Sequence, residues 1–199
     1  MKKYLFIILF LISTVVSFSQ TIEFGPLIQY HRTAFQKPDS GTIVITNSGG
    51  IGEGVITTET DANIAIGGYF GYYTENTFAY LVELFYVATS SPNYGNNSFQ
   101  SINLVPSVAA ELGNSNIFIN LGVGAGFILN QPDFKGINDV VGEKFNSIDI
   151  LAKLAFNFRL KELFTLDGGV LMGVSDIVDD QNRFHFYLGA RVPLNLLIN

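Results

Sequence analysis

Two histidines, His31 and His185, stand almost a full chain apart, and there is no cysteine. An imidazole in hydrogen-bond reach of a carboxylate or hydroxyl can serve as a general base or activate a nucleophile. Ser175, Asp176, Asp179 and Asp180 supply such groups near one another, provided the fold brings the histidines to them. The same set could hold a metal ion. No known catalytic motif surrounds either histidine, so the expected arrangement is a pair of interior imidazoles bonded to neighbours, with no metal and no cofactor. A second set is larger. Glu23, Glu83, Glu111, Asp149 and Asp167 oppose Lys153, Arg159 and Arg191 in a chain that is only 14 % charged. A third is the run "GVGAG" at 122–126.

A phosphate cradle is excluded for that run. A dinucleotide fingerprint needs G-x-G-x-x-G after a strand and opening a helix, and the third glycine position is Phe127. No Gly-Lys-Ser/Thr is present for a P-loop. What remains is alternation. Ile117, Ile119, Leu121, Val123, Ala125, Phe127 and Leu129 share one parity, and Asn120, Gly122, Gly124 and Gly126 the other. A period of two makes a strand with two unlike faces.

The same pattern predicts eight strands, at about 22–35, 62–73, 78–90, 100–112, 116–130, 147–160, 164–175 and 184–196. Short connections ("TENT" at 74–77, "GNSN" at 113–116, "KEL" at 161–163) alternate with longer ones at about 36–61, 91–99, 131–146 and 176–183. A meander with all its tight turns at one end closes into an up-and-down barrel. Pro26, Pro106 and Pro193 conflict with a continuous ladder, since proline has no N–H to donate; a bulge is expected at Pro106.

"MKKYLFIILFLISTVVSFSQ" has two lysines, an apolar run and small residues, the pattern of a secretory signal peptide cut after residue 19. The expected organisation is therefore a signal peptide at 1–19 and one domain at 20–199. Net charge is −6, or −8 without Lys2 and Lys3, which argues against nucleic acid.

Volume decides which face is inside. Eight strands enclose an interior just wide enough for side chains to fill. The Phe, Tyr, Leu and Ile set would crowd it, whereas the Gly, Ala, Ser and Asn set fits. A soluble lipocalin-like barrel, with the bulky face inward, is the less suitable alternative. The bulky face then points outward and requires lipid; only helices and closed barrels satisfy their backbone there. By phase, Phe24, Tyr72, Phe78, Tyr80, Phe158 and Phe164 form an outward band near the short turns, and Tyr30, Tyr86, Phe127, Phe184 and Phe186 a second near the long connections. Two aromatic girdles suit two membrane interfaces. The charges Glu23, Glu83, Glu111, Lys153, Arg159, Asp167 and Arg191 fall inside, where they must pair. His31 and His185 also phase inward, toward the outer half.

With signal peptide, eight alternating strands, short turns and long loops, the chain resembles the small outer-membrane β-barrel proteins: the OmpA transmembrane domain, OmpX, OmpW and the PorT-like barrels. The final segment "FHFYLGARVPLNLLIN" resembles their closing strand but ends in Asn199 rather than an aromatic residue. The resemblance implies an all-β, eight-stranded antiparallel transmembrane barrel in a Gram-negative outer membrane, with periplasmic turns and extracellular loops. Some such barrels act on lipid A or peptides through a His and an acid or hydroxyl near the outer rim, so a lipid-modifying enzyme around His31 or His185 is the alternative to a non-enzymatic structural, adhesive or accessory role. The expected partners are outer-membrane lipid and, through a hairpin formed by "TIVIT" and "VITTE" at 42–59, an incoming protein strand. A monomer is expected.

Overall fold

Alternation becomes eight antiparallel strands: β1 (Thr21–Gln36), β2 (Asp61–Tyr73), β3 (Phe78–Ser90), β4 (Ser98–Glu111), β5 (Ile117–Ile128), β6 (Ile148–Leu160), β7 (Phe164–Gly173) and β8 (Asn182–Arg191). A single helical turn, α1 (Leu194–Leu197), follows. Each strand pairs with the next, and β8 pairs with β1, giving a closed all-β barrel. The computed structural model describes residues 21–36, 61–74, 77–90, 98–113, 115–130, 146–160, 163–177 and 182–197. The expected signal peptide and the expected 42–59 hairpin lie outside them.

The register is staggered. Ile22 pairs with Tyr72, Tyr72 with Tyr80, Tyr80 with Val108, Val108 with Leu121, Leu121 with Leu154, Leu154 with Val170, Val170 with Phe186, and Phe186 with Arg32. One circuit thus returns to β1 ten residues further along. Such a shear tilts strands by about 35–45° to the axis, and strands of 10 to 16 residues are then long enough to cross a bilayer.

The facing follows the volume argument. Val123 is 64 % exposed and Leu188 70 %, while Ala65, Val105, Leu151 and Ala155 are buried in the lumen. Every outward-pointing strand residue among those described is uncharged except Arg32. Phe24, Phe78, Tyr80 and Phe158 are exposed near the short turns, and Tyr30, Tyr86, Phe127 and Phe186 near the other end. Phe184 departs from this expectation. It has outward parity but is only 6 % exposed, with its ring edge-on to Phe186 at 4.8 Å.

The prolines resolve differently from the sequence expectation. No bulge forms at Pro106. Val82 pairs with Pro106 in an unbroken β3–β4 register, and β4–β5 keeps one register on both sides of it. The missing N–H instead coincides with two absent rungs, at Val105 and Pro106, between β4 and β5. A hollow of about 540 Å³ marks the gap on the outer face, bordered by Tyr80, Pro106, Leu121 and Val123 with Lys153 behind.

The closing strand is shorter than predicted. β8 stops at Arg191 because Pro193 cannot continue the ladder, and 194–197 coil into α1 instead of extending to 196. The first six residues of β1 therefore have no strand on that side. Val192 N donates to Pro26 O at 3.1 Å. Beyond it the Asn195 side chain substitutes for a strand: its Oδ1 accepts from Phe24 N (3.0 Å) and its Nδ2 donates to Ile22 O (2.6 Å). Pro26 lies one residue beyond the last β1–β8 pair, Leu27 with Arg191, so its missing N–H removes no rung of that ladder.

Candidate functional site in the barrel lumen

The inward parity stacks polar groups in three tiers along the lumen. Nearest the short turns, Arg159 on β6 pairs with the buried Glu23 on β1, and its guanidinium lies 4.6 Å from the centre of the Tyr73 ring. Tyr73 in turn meets Phe118 edge-on at 6.0 Å, closing that end with Ala79, Leu81 and Ala109. Cation–aromatic contact lets a guanidinium sit in a place with little water.

The middle tier centres on Glu83. Lys153 Nζ donates to its Oε2 at 2.5 Å, and Arg191 Nη1 stands 3.7 Å from its Oε1. Arg191 lies 5.3 Å from the Tyr69 ring centre and Lys153 5.6 Å from that of Tyr187. Asp167 on β7 completes the tier. Its Oδ1 lies 2.6 Å from where a Cβ on Gly189 would sit, so the glycine is the space that the carboxylate occupies. All of these charged groups are buried.

The upper tier pairs Arg183 on β8 with Asp149 on β6. Arg183 Nε donates to Asp149 Oδ2 at 2.9 Å, and Nη1 donates to Ser101 Oγ at 3.2 Å. Ser175 Oγ donates to the other carboxylate oxygen at 3.1 Å. A Cβ at Gly126 would lie 3.0 Å from Arg183 Nη2, and one at Gly173 2.7 Å from Asp149 Oδ1. This explains part of "GVGAG": Gly126 makes room for the Asn103 amide oxygen, 2.5 Å from where its Cβ would sit, and for the guanidinium. Gly122 and Gly124 serve a different purpose, close approach of the β4 backbone, since a Cβ there would meet Pro106 O at 2.8 Å and Val105 Cα at 2.9 Å.

Among the described side chains, Glu23, Glu83, Asp149 and Asp167 against Lys153, Arg159, Arg183 and Arg191 make four acids and four bases, a balanced set. Arg183 was not among the residues that the sequence pointed to, because the eighth strand was expected to begin at 184. Glu111 was, by parity, but the structure places it outside the tiers. As the last residue of β4 it turns to the 112–116 connection, where its Oε1 accepts from Asn116 N at 3.0 Å.

The histidines meet in the same half as Arg183. Their ring centres are 5.4 Å apart, edge to face, and His31 stacks on Tyr187 at 5.5 Å. His31 Nε2 is 3.0 Å from Gln29 Oε1. His185 Nδ1 is 2.9 Å from Thr33 Oγ1, which also accepts from Asn63 Nδ2 at 3.3 Å. Both imidazoles and Thr33 are buried. Among the described residues no carboxylate hydrogen-bonds either ring, so neither has the orienting acid of a triad. Ser175 is engaged with Asp149, Asp176 is exposed, and Asp179 and Asp180 lie outside the described residues. No cluster of three or more metal-ligating side chains occurs among the described residues.

Neither family models nor curated proteins match the chain. Solved structures do. The Ail attachment invasion locus protein of Yersinia pestis aligns with TM-score 0.50 at 12 % identity, over 84 % of this chain and 95 % of that one. Neisserial surface protein A aligns with TM-score 0.47 at 11 % identity, over 88 % and 99 %. The outer membrane protein OprG from Pseudomonas aeruginosa aligns with TM-score 0.36 at 14 % identity, over 84 % and 96 %. At these identities the likeness concerns the fold, and in fold this chain is a small eight-stranded antiparallel barrel of the outer-membrane type.

Proposed function

We propose that this chain is an integral outer-membrane barrel with a non-enzymatic structural, adhesive or accessory role. The observation that carries the membrane assignment is the outer wall. It is apolar on all eight strands, banded with aromatics at both ends and charged among the described residues only at Arg32. A soluble barrel would expose that surface to water, far beyond the few hundred Å² of contiguous apolar patch that soluble monomers carry. The lumen supports a non-transport role. Its four ion pairs and close glycine contacts fill the interior instead of lining a pore. Extracellular connections then remain as the partner surface. Fractionation of cells expressing the chain tests this reading. The protein should sediment with outer membranes and show a heat-dependent gel mobility; recovery as a soluble protein would overturn it.

The alternative, a lipid-modifying enzyme, draws on one contact, the hydroxyl of Thr33 on the imidazole of His185. Thr33→Ala and His185→Ala should leave the lipid A profile of host membranes unchanged under our proposal. A changed profile would favour the enzyme.

A further inference from the structure

Among the described residues Arg32 is the exception on an uncharged outer wall, and the wall is hollow beneath it. β1 directs even-numbered residues outward, so Arg32 stands on the lipid side, one outward step beyond Tyr30 and toward the long-connection end. Beside it a groove of about 350 Å³ crosses β8 from β1 to β7, lined by Tyr30, Arg32, Val170, Phe186 and Leu188. Among the described residues no carboxylate lies within ion-pair distance of Arg32, whereas each of the lumen cations has one within 4 Å.

We infer that this groove is a binding site for an anionic, phosphate-bearing membrane lipid of the outer leaflet, as distinct from a zwitterionic one. The inference rests on the proposed membrane location. The geometry matches one occupant, with a fork of guanidinium donors at the headgroup level and an apolar trough running from it toward the bilayer centre. A guanidinium binds phosphate through two parallel charge-assisted bonds. Tyr30 and Phe186 flank the junction between the two, where aromatic rings favour the interface. An arginine that merely snorkelled to water would need no trough beneath it.

The test uses the full barrel purified in detergent and native mass spectrometry with two probes, dimyristoyl phosphatidic acid and dimyristoyl phosphatidylcholine. Wild type should retain one phosphatidic acid per barrel in preference to phosphatidylcholine. Inorganic phosphate should not displace it, because the trough holds the chains. Arg32→Gln should weaken retention by about ten- to a hundredfold, the worth of a charged hydrogen bond, with folding unchanged. Leu188→Trp should fill the trough and reduce retention of both lipids. Equal retention of phosphatidic acid by wild type and Arg32→Gln, or no preference over phosphatidylcholine, overturns the site. Displacement by inorganic phosphate also overturns it, by showing an anion site without a lipid. A barrel that needs no detergent fails the membrane assignment instead, so the two failures are distinguishable.

Discussion

Arg183 and Asp149 form the most completely satisfied charge pair in the lumen, and removing either should be much more costly than removing both. Arg183→Met deletes the guanidinium and keeps an apolar stem beside Gly126. Asp149, fully buried, is then left with only the Ser175 hydroxyl. Breaking a buried pair from one side costs about 3–5 kcal/mol, because a charge stays behind without its partner. Asp149→Leu alone should cost a similar amount by stranding Arg183, which keeps only Ser101. The double variant strands no charge. It loses the hydroxyl partners Ser101 and Ser175, worth about 1 kcal/mol each, so its cost should be about 2 kcal/mol against an additive sum of about 6–10. Equilibrium urea unfolding of the barrel in phosphatidylcholine vesicles, followed by β-sheet circular dichroism, measures all three variants. Additive costs would refute the claim that these two groups are coupled in a dry interior.

Four further outcomes follow from other parts of the barrel. Val123→Arg places a charge on the outer wall of β5 and should destabilise the folded state by about 2–4 kcal/mol if it lies at the bilayer midplane; an unchanged urea midpoint would contradict the facing. Asn195→Ala removes both hydrogen bonds that finish the β1 edge, so it should cost about 1–3 kcal/mol and speed amide exchange at Phe24 while sparing Leu84. In planar bilayers the wild type should give no large, stable single-channel conductance. Arg191→Ala, which leaves Glu83 with Lys153 alone, should lose about 3–5 kcal/mol in the same urea titration.

Strand number and facing were legible because a period of two is local: Val123 and Gly124 announce their sides without knowledge of any partner. Height was not, because it depends on register and shear, which are set around the whole circuit. Parity alone therefore put Glu111 in the lumen, although its position at the end of β4 gives it to the turn. Arg183 was missed for a related reason. Its parity is inward, but its strand was expected to start one residue later, and nothing local marks it as the partner of Asp149, 34 residues away. Pro193 carried a readable signal, since proline ends ladders, and it correctly argues for a strand shorter than 184–196. The substitution of Asn195 for the missing strand had no signal in the sequence, because an asparagine near a terminus fits many roles. For Pro106 the chemistry was right and the remedy wrong: the donor is missing, yet the register holds and two rungs are lost instead of a residue being inserted.

The chain contains no tryptophan, so a single introduced one reports its surroundings without background. Val123→Trp puts the indole on the exposed face of β5, and Ser115→Trp puts it in the exposed turn before that strand. In vesicles containing brominated phosphatidylcholine, fluorescence at position 123 should be strongly quenched by the lipid and insensitive to aqueous iodide, and at position 115 the order should reverse. Quenching at position 123 by iodide and not by brominated lipid would mean that the apolar wall faces water, and the outer-membrane barrel account would be contradicted.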